Sequence, residues 1–121
     1  MSIFESGENY LETIYKLLLS KNDVHAIDVV NELNFSKPSV SNALKKLVKQ
    51  EYITIDINNH IHLTQKGKRK AKEINDRHQT LKTLLIKLGV VEKNFEKDAC
   101  KIEHDLSNES FEAFKKLIPK L

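Results

Sequence analysis

The chain has 121 residues, 40% of them hydrophobic, with a formal net charge of +3 and one cysteine. That length suits one domain or two small interlocked ones, no apolar run reaches the about 18 residues of a spanning helix, and the polar, acidic start MSIFESGENY carries no signal-peptide pattern. A lone cysteine excludes an internal disulfide and suits a reducing, cytoplasmic setting, where its uses are packing, ligation or redox chemistry.

In chain order, ENYLETIYKLLL carries Leu11, Ile14, Tyr15 and Leu18 at helical spacing, with Ser6 or Gly7 available as a cap, and predicts a first helix. HAIDVVNELNF repeats the pattern in Ile27, Val30 and Leu33 and predicts a second. Ser36 then caps a third helix, with Pro38 in its first turn and an apolar stripe of Val40, Ala43, Leu44, Leu47 and Val48. Beyond Gln50 the period changes. YITIDINNHIHLT alternates apolar and polar residues on both sides of NNH, which predicts a hairpin of Tyr52–Ile57 against Ile61–Leu63. Thr64 caps a long fourth helix whose stripe is Ala71, Ile74, His78, Leu81, Leu85 and Leu88, stopped by Gly89. Two more helices follow, about Glu92–Leu106 and about Asn108–Ile118. The only glycines are Gly7, Gly67 and Gly89, so no glycine-rich phosphate loop is present.

Two short helices joined by a tight link and followed by a hairpin form a winged helix-turn-helix in a mainly α chain. In such a unit the second helix of the pair enters the major groove and the hairpin grips the flanking backbone. Charge agrees with this. Lys37 to Lys72 holds nine basic residues against two acidic ones, a local balance of +7 that leaves −4 for the rest. The face of helix three opposite its stripe presents Ser36, Lys37, Pro38, Ser39, Ser41, Asn42, Lys45 and Lys46 as the DNA-binding candidates. Hydroxyls and ammonium groups suit phosphate, so Lys37, Lys45 and Lys46 are expected there; Ser39, Ser41 and Asn42 are expected at base edges, where an Asn amide pairs with adenine. The same architecture also serves as a protein-interaction module, and the basic third helix is what favours double-stranded DNA.

The stretch DACKIEHDLS places Cys100, Glu103 and His104 at i, i+3 and i+4, on one helical face and within reach of one ion. His78 interrupts the apolar stripe of helix four, where a histidine is more often a satisfied core residue than a ligand. Asn9 and Glu12 stand at i and i+3 on helix one.

Four motifs, ESGENYLETIYKL, FSKPSVSNALKKL, HLTQKGKRKAKEINDRH and DACKIEHDLS, together resemble the diphtheria-toxin-repressor and manganese-transport-regulator family in order and spacing, from Phe4 to Ser107. The resemblance implies a homodimeric, metal-activated transcriptional repressor of iron or manganese homeostasis that binds palindromic operator DNA. It implies a winged helix over residues 1–72 and a helical dimerisation and metal-binding segment over 73–121. Some members add an SH3-like domain; a chain stopping at Leu121 has no room for it and resembles the compact members. Carried over by position, the family's ligand set falls on Asn9, Glu12, His78, Cys100, Glu103 and His104. The iron branch usually has methionine at the position of Asn9 and cysteine at that of Cys100, and the manganese branch has aspartate and glutamate. A soft thiolate favours iron(II), with manganese(II) second. Four residues after His78, where many members place a glutamate that helps hold a second ion, this chain has Lys82, whose charge repels a cation; one ion per subunit is expected, although Glu96 lies one turn before Cys100 and has an oxygen to offer. Ligands on helices one, four and five would tie the DNA-binding part to the dimer part, so that metal selects the spacing of the two recognition helices.

Ile102, Leu106, Phe111, Phe114, Leu117 and Ile118 are the candidates for a dimer face, or else cover the helix-four stripe. Two rival functions have distinct signatures. A redox-sensing winged-helix regulator would use Cys100 as a reactive thiol. A metal-dependent hydrolase lacks support, because DACKIEHDLS is not the H-E-x-x-H arrangement and leaves the basic region without a purpose. No membrane, small-molecule substrate or enzymatic activity is expected.

Overall fold

The computed structural model describes residues 7–121, so Ser6 lies outside the described residues. The chain divides into two compact units between Lys72 and Glu73.

The first unit contains α1 (Gly7–Ser20), α2 (Ala26–Leu33), α3 (Lys37–Lys49) and an antiparallel hairpin of β1 (Ile53–Ile55) and β2 (Ile61–Leu63), which leads into the start of α4 (Gln65–Lys87). Helix α2 ends because Asn34 adopts the left-handed conformation, φ 57°, and returns its N–H to the Val30 carbonyl at 2.8 Å. Only Phe35 then separates that turn from Ser36. The Ser36 hydroxyl accepts the Ser39 amide at 3.2 Å, capping α3, and Pro38 occupies the first turn, where no amide is needed. The tight link between the two helices is therefore written in three residues.

Strand pairing runs Ile53↔Leu63, Thr54↔His62 and Ile55↔Ile61, shorter than the predicted hairpin because Tyr52, Asp56 and Ile57 fall outside the ladder. Asp56 instead organises the turn: its Oδ1 accepts the amides of Asn58 and His60 at 2.8 and 3.0 Å, and its Oδ2 accepts from His62 Nε2 at 2.8 Å. Asn59 takes the left-handed position, φ 63°. The second strand has an additional partner, since Ile61 N–H reaches the Val24 carbonyl at 2.8 Å. Thr64 Oγ1 accepts the Gly67 amide at 3.0 Å and caps α4 as its sequence position predicts. Gly67 itself is required by proximity, because a Cβ there would lie 1.9 Å from the Tyr52 carbonyl oxygen.

The apolar stripes differ from the sequence pattern at their margins. On α3, Val40, Ala43, Leu44 and Leu47 are buried, but Val48, rotated to the edge of that face, is 41% exposed. On α2 the buried side chain is Val29, with Val30 and Leu33 half-buried, and Ile27 is 45% exposed. At 100° per residue, positions 26, 29, 30 and 33 share one face and Ile27 stands off it.

The second unit joins the rest of α4 to α5 (Glu92–Asp105), α6 (Asn108–Leu117) and a closing 3₁₀ turn, Ile118–Lys120. Its core is Leu81, Ala99 and Phe111, with Leu85, Ile102, Leu106 and Phe114 packed around it. Four of the six dimer candidates therefore cover the α4 stripe. Leu84 is buried and Leu88, beyond the last turn of α4, is exposed. Arg77 donates to the Leu106 carbonyl where α5 ends, and its guanidinium lies 5.1 Å from the Phe111 ring centre, tying α4 to the α5–α6 junction. Ser107 caps α6 by accepting the Ser110 amide at 3.1 Å.

Candidate nucleic-acid interface and metal centre

On the first unit, all eight DNA-binding candidates, Ser36, Lys37, Pro38, Ser39, Ser41, Asn42, Lys45 and Lys46, are exposed. This follows from the inward stripe of α3, which commits the remaining face to solvent. Ser36, Ser39, Asn42 and Lys46 border one open depression with Asn34, Phe35 and Tyr10. Ser41 and Lys45 border a second, more apolar groove with Val48, Ile55 and Asn59, which accounts for the exposure of Val48. The first turn of α3 has no acidic side chain, so the partial positive charge of the helix N-terminus stands beside the lysines, a disposition suited to phosphate.

Asn9 and Glu12 lie on α1. Asn9 is half-buried and its backbone carbonyl accepts the Thr13 hydroxyl at 2.9 Å. Glu12 is buried, with Lys16 one turn on at 3.6 Å.

On the second unit, the Cys100, Glu103 and His104 donor atoms lie within 4.8 Å of one another. Glu103 faces inward and is 2% exposed, although its two oxygens make no hydrogen bond of normal geometry. Two imidazoles lie close to it. His78 Nδ1 is 2.9 Å from Oε2 and His104 Nε2 is 3.4 Å from Oε1. Burying a carboxylate is costly unless positive charge meets it. A donor set of thiolate, carboxylate and imidazoles converging on that carboxylate suits a divalent transition metal, whose charge would match it.

His78 is buried, and it is more than a stripe residue. Its other nitrogen, Nε2, donates to Glu96 Oε2 at 3.0 Å, and Glu96 Oε1 in turn lies 2.5 Å from Lys82 Nζ. Lys82 and His78 hold the Glu96 carboxyl below its ordinary range, Lys82 more strongly. Glu96, which the sequence offered as an extra oxygen, is thus engaged by Lys82 and His78. Periodicity marks Lys82 and Glu96 as exposed helix positions; that they meet depends on α4 and α5 lying side by side, which no local spacing encodes.

Comparison with known proteins agrees with both halves. Residues 2–61 match the iron dependent repressor N-terminal DNA binding domain, and residues 64–121 match the iron dependent repressor metal binding and dimerisation domain. An HTH-type transcriptional regulator of Methanocaldococcus jannaschii is 37% identical over 118 residues, spanning 96% of this chain and 94% of that protein. The HTH-type transcriptional regulator MntR of Geobacillus kaustophilus is 34% identical over 102 residues, 84% of this chain and 72% of that one. In fold, the chain is similar to the manganese regulator SloR, with a TM-score of 0.85 at 24% identity over 98% of this chain; it spans 55% of the length of that structure. The winged helix, the donor cluster and these matches together lead to one conclusion: the chain belongs to the iron-dependent repressor family of transcriptional regulators.

Proposed function

We propose that this chain is a metal-activated transcriptional repressor of iron or manganese homeostasis, which binds palindromic operator DNA as a homodimer in the cytoplasm. The observation that carries the reading is the buried Glu103 carboxylate, met by donor atoms of Cys100 and His104 from its own helix and by His78 Nδ1 from α4. Asn9 and Glu12 are further ligands by family resemblance, supplied from α1. When bound, a divalent ion supplies the positive charge these donors lack. Cys100 gives the set its preference for iron(II), with manganese(II) second, because thiolate is softer than carboxylate. Lys82 keeps the centre to one ion per subunit by holding Glu96 in an ion pair.

The residues divide the work. Lys37, Lys45 and Lys46, with the capped start of α3 from Ser36 to Pro38, hold phosphates and set register; Ser39, Ser41 and Asn42 meet base edges. The exposed apolar side chains Ile86, Leu88, Val91, Leu117 and Leu121 provide the surface for dimerisation, together with Ile118. A coupling of about 1–3 kcal/mol between metal and DNA sites suffices for a switch, and operator DNA must then tighten metal binding by the same factor.

The test is retention of operator duplex titrated with iron(II), manganese, zinc and cobalt under anaerobic, reducing conditions. Binding that appears with metal, is lost with chelator and weakens steeply with salt is the expected result. Equal affinity with metal and with chelator removes the switch.

A further inference from the structure

His78 stands between two carboxylates, and they lie at different depths. Glu103 is buried against Nδ1 at 2.9 Å, whereas Glu96, half exposed, receives Nε2 at 3.0 Å and is pinned on its other oxygen by Lys82 at 2.5 Å. Lys82 lies one turn after His78 on α4, and Glu96 one turn before Cys100 on α5. The three side chains therefore bridge the two helices one turn from the donor cluster. The partly exposed Lys82–Glu96 ion pair contributes little to stability by itself. An imidazole that ligates through one nitrogen needs its other N–H held by an acceptor, which fixes both the tautomer and the ring orientation.

Building on the metal-centre reading above, we propose that Lys82 and Glu96 form a positioning pair for His78. Glu96 accepts the Nε2 proton and leaves Nδ1 as the nitrogen turned toward Glu103 and the ion, and Lys82 holds the Glu96 carboxylate in place so that it supports the imidazole without becoming a ligand. A lysine that reads in the sequence only as a deterrent to a second cation thereby acts in favour of the first. Neither residue touches the ion.

The test compares two double variants of the full chain, Lys82→Met with Glu96→Leu and Lys82→Met with Glu96→Gln. Both remove one positive and one negative charge, so the net charge around the ion is unchanged and only the acceptor for Nε2–H differs. Cobalt(II) is titrated optically under anaerobic, reducing conditions, and the exchangeable, paramagnetically shifted ring N–H of His78 is followed by proton NMR. The leucine variant should bind cobalt(II) about 10–100-fold more weakly than the unaltered chain and lose the slowly exchanging N–H. The glutamine variant should recover at least about tenfold of that affinity and keep the resonance. Should the leucine variant fail to fold, Glu96→Ala against Glu96→Gln repeats the comparison at equal charge. Equal affinities and equal exchange in the acceptor-bearing and acceptor-free variants overturn the positioning role while leaving the metal centre intact. Failure of the unaltered chain to bind cobalt(II) overturns both.

Discussion

Helices α3 and α5 use the same periodicity in opposite senses. On α3 the apolar residues turn inward and the polar face, from Ser36 to Lys46, is left wholly exposed. On α5 the polar Glu103 occupies an inward position and is 2% exposed, in line with the buried Ala99. The proposed partners explain the difference. DNA arrives from outside and meets flexible, hydrated cations and amides, whereas a metal ion needs converging donors held where water competes poorly. A polar residue on an inward face is therefore the stronger sign of a site, because its burial must be offset by something specific.

The largest expected break in this contrast is at the inward helix. Glu103→Ala should lower metal affinity by more than the about 10–100-fold associated with an outer partner and abolish metal-dependent operator binding, with Cys100→Ala and His104→Ala acting in the same direction. Metal titration followed by operator retention measures both, and unchanged metal affinity in Glu103→Ala would remove that residue from the centre. The outward helix should behave otherwise. Asn42→Ala should leave the fold intact but relax base discrimination by about 1–3 kcal/mol, seen as a loss of preference between operator and point-substituted duplexes. Lys45→Ala should weaken binding to all sequences alike and reduce the salt slope by about one.

Gly67 tests the scaffold beneath the outward face. Gly67→Ala places a methyl against the Tyr52 carbonyl, so α4 must shift from the hairpin, at an expected cost of about 1–3 kcal/mol in urea unfolding. An unaltered midpoint would mean that the contact relaxes freely.

The smallest effect concerns the wing. The hydrogen bond from His62, reinforced by the His60 amide, lowers the Asp56 carboxyl from the ordinary 3.8 to about 2. The sign follows from linkage: a carboxyl depressed in the folded state adds stability that is fully present above its unfolded value and is lost as pH falls through its folded value. The wing turn should therefore loosen between about pH 4 and pH 2, and Asp56→Asn should remove that dependence. A carboxyl resonance of Asp56 titrating near its ordinary value would contradict the turn geometry.

Much of this molecule was legible before its structure. Six helices and a hairpin followed from period, caps and turns, and the Ser36, Thr64 and Gly89 signals each mark a helix end. The margins differ where a hydrophobic residue stands at the edge of a face, as at Ile27 and Val48, because periodicity reports direction but not how far the neighbour extends. The dimer candidates Ile102, Leu106, Phe111 and Phe114 could not be separated from core residues by sequence, since both uses demand the same apolar side chains.

Sequence by itself determined the order of elements, the basic face of α3 and the i, i+3, i+4 grouping of Cys100, Glu103 and His104, because each depends on spacing within a single segment. Tertiary structure alone decided that His78 meets Glu103 through one nitrogen and Glu96 through the other, and that Lys82 closes on Glu96. Those contacts join residues 14 to 25 positions apart across α4 and α5. They depend on how two helices are packed side by side, which the local periods of 3.6 and 2.0 do not specify.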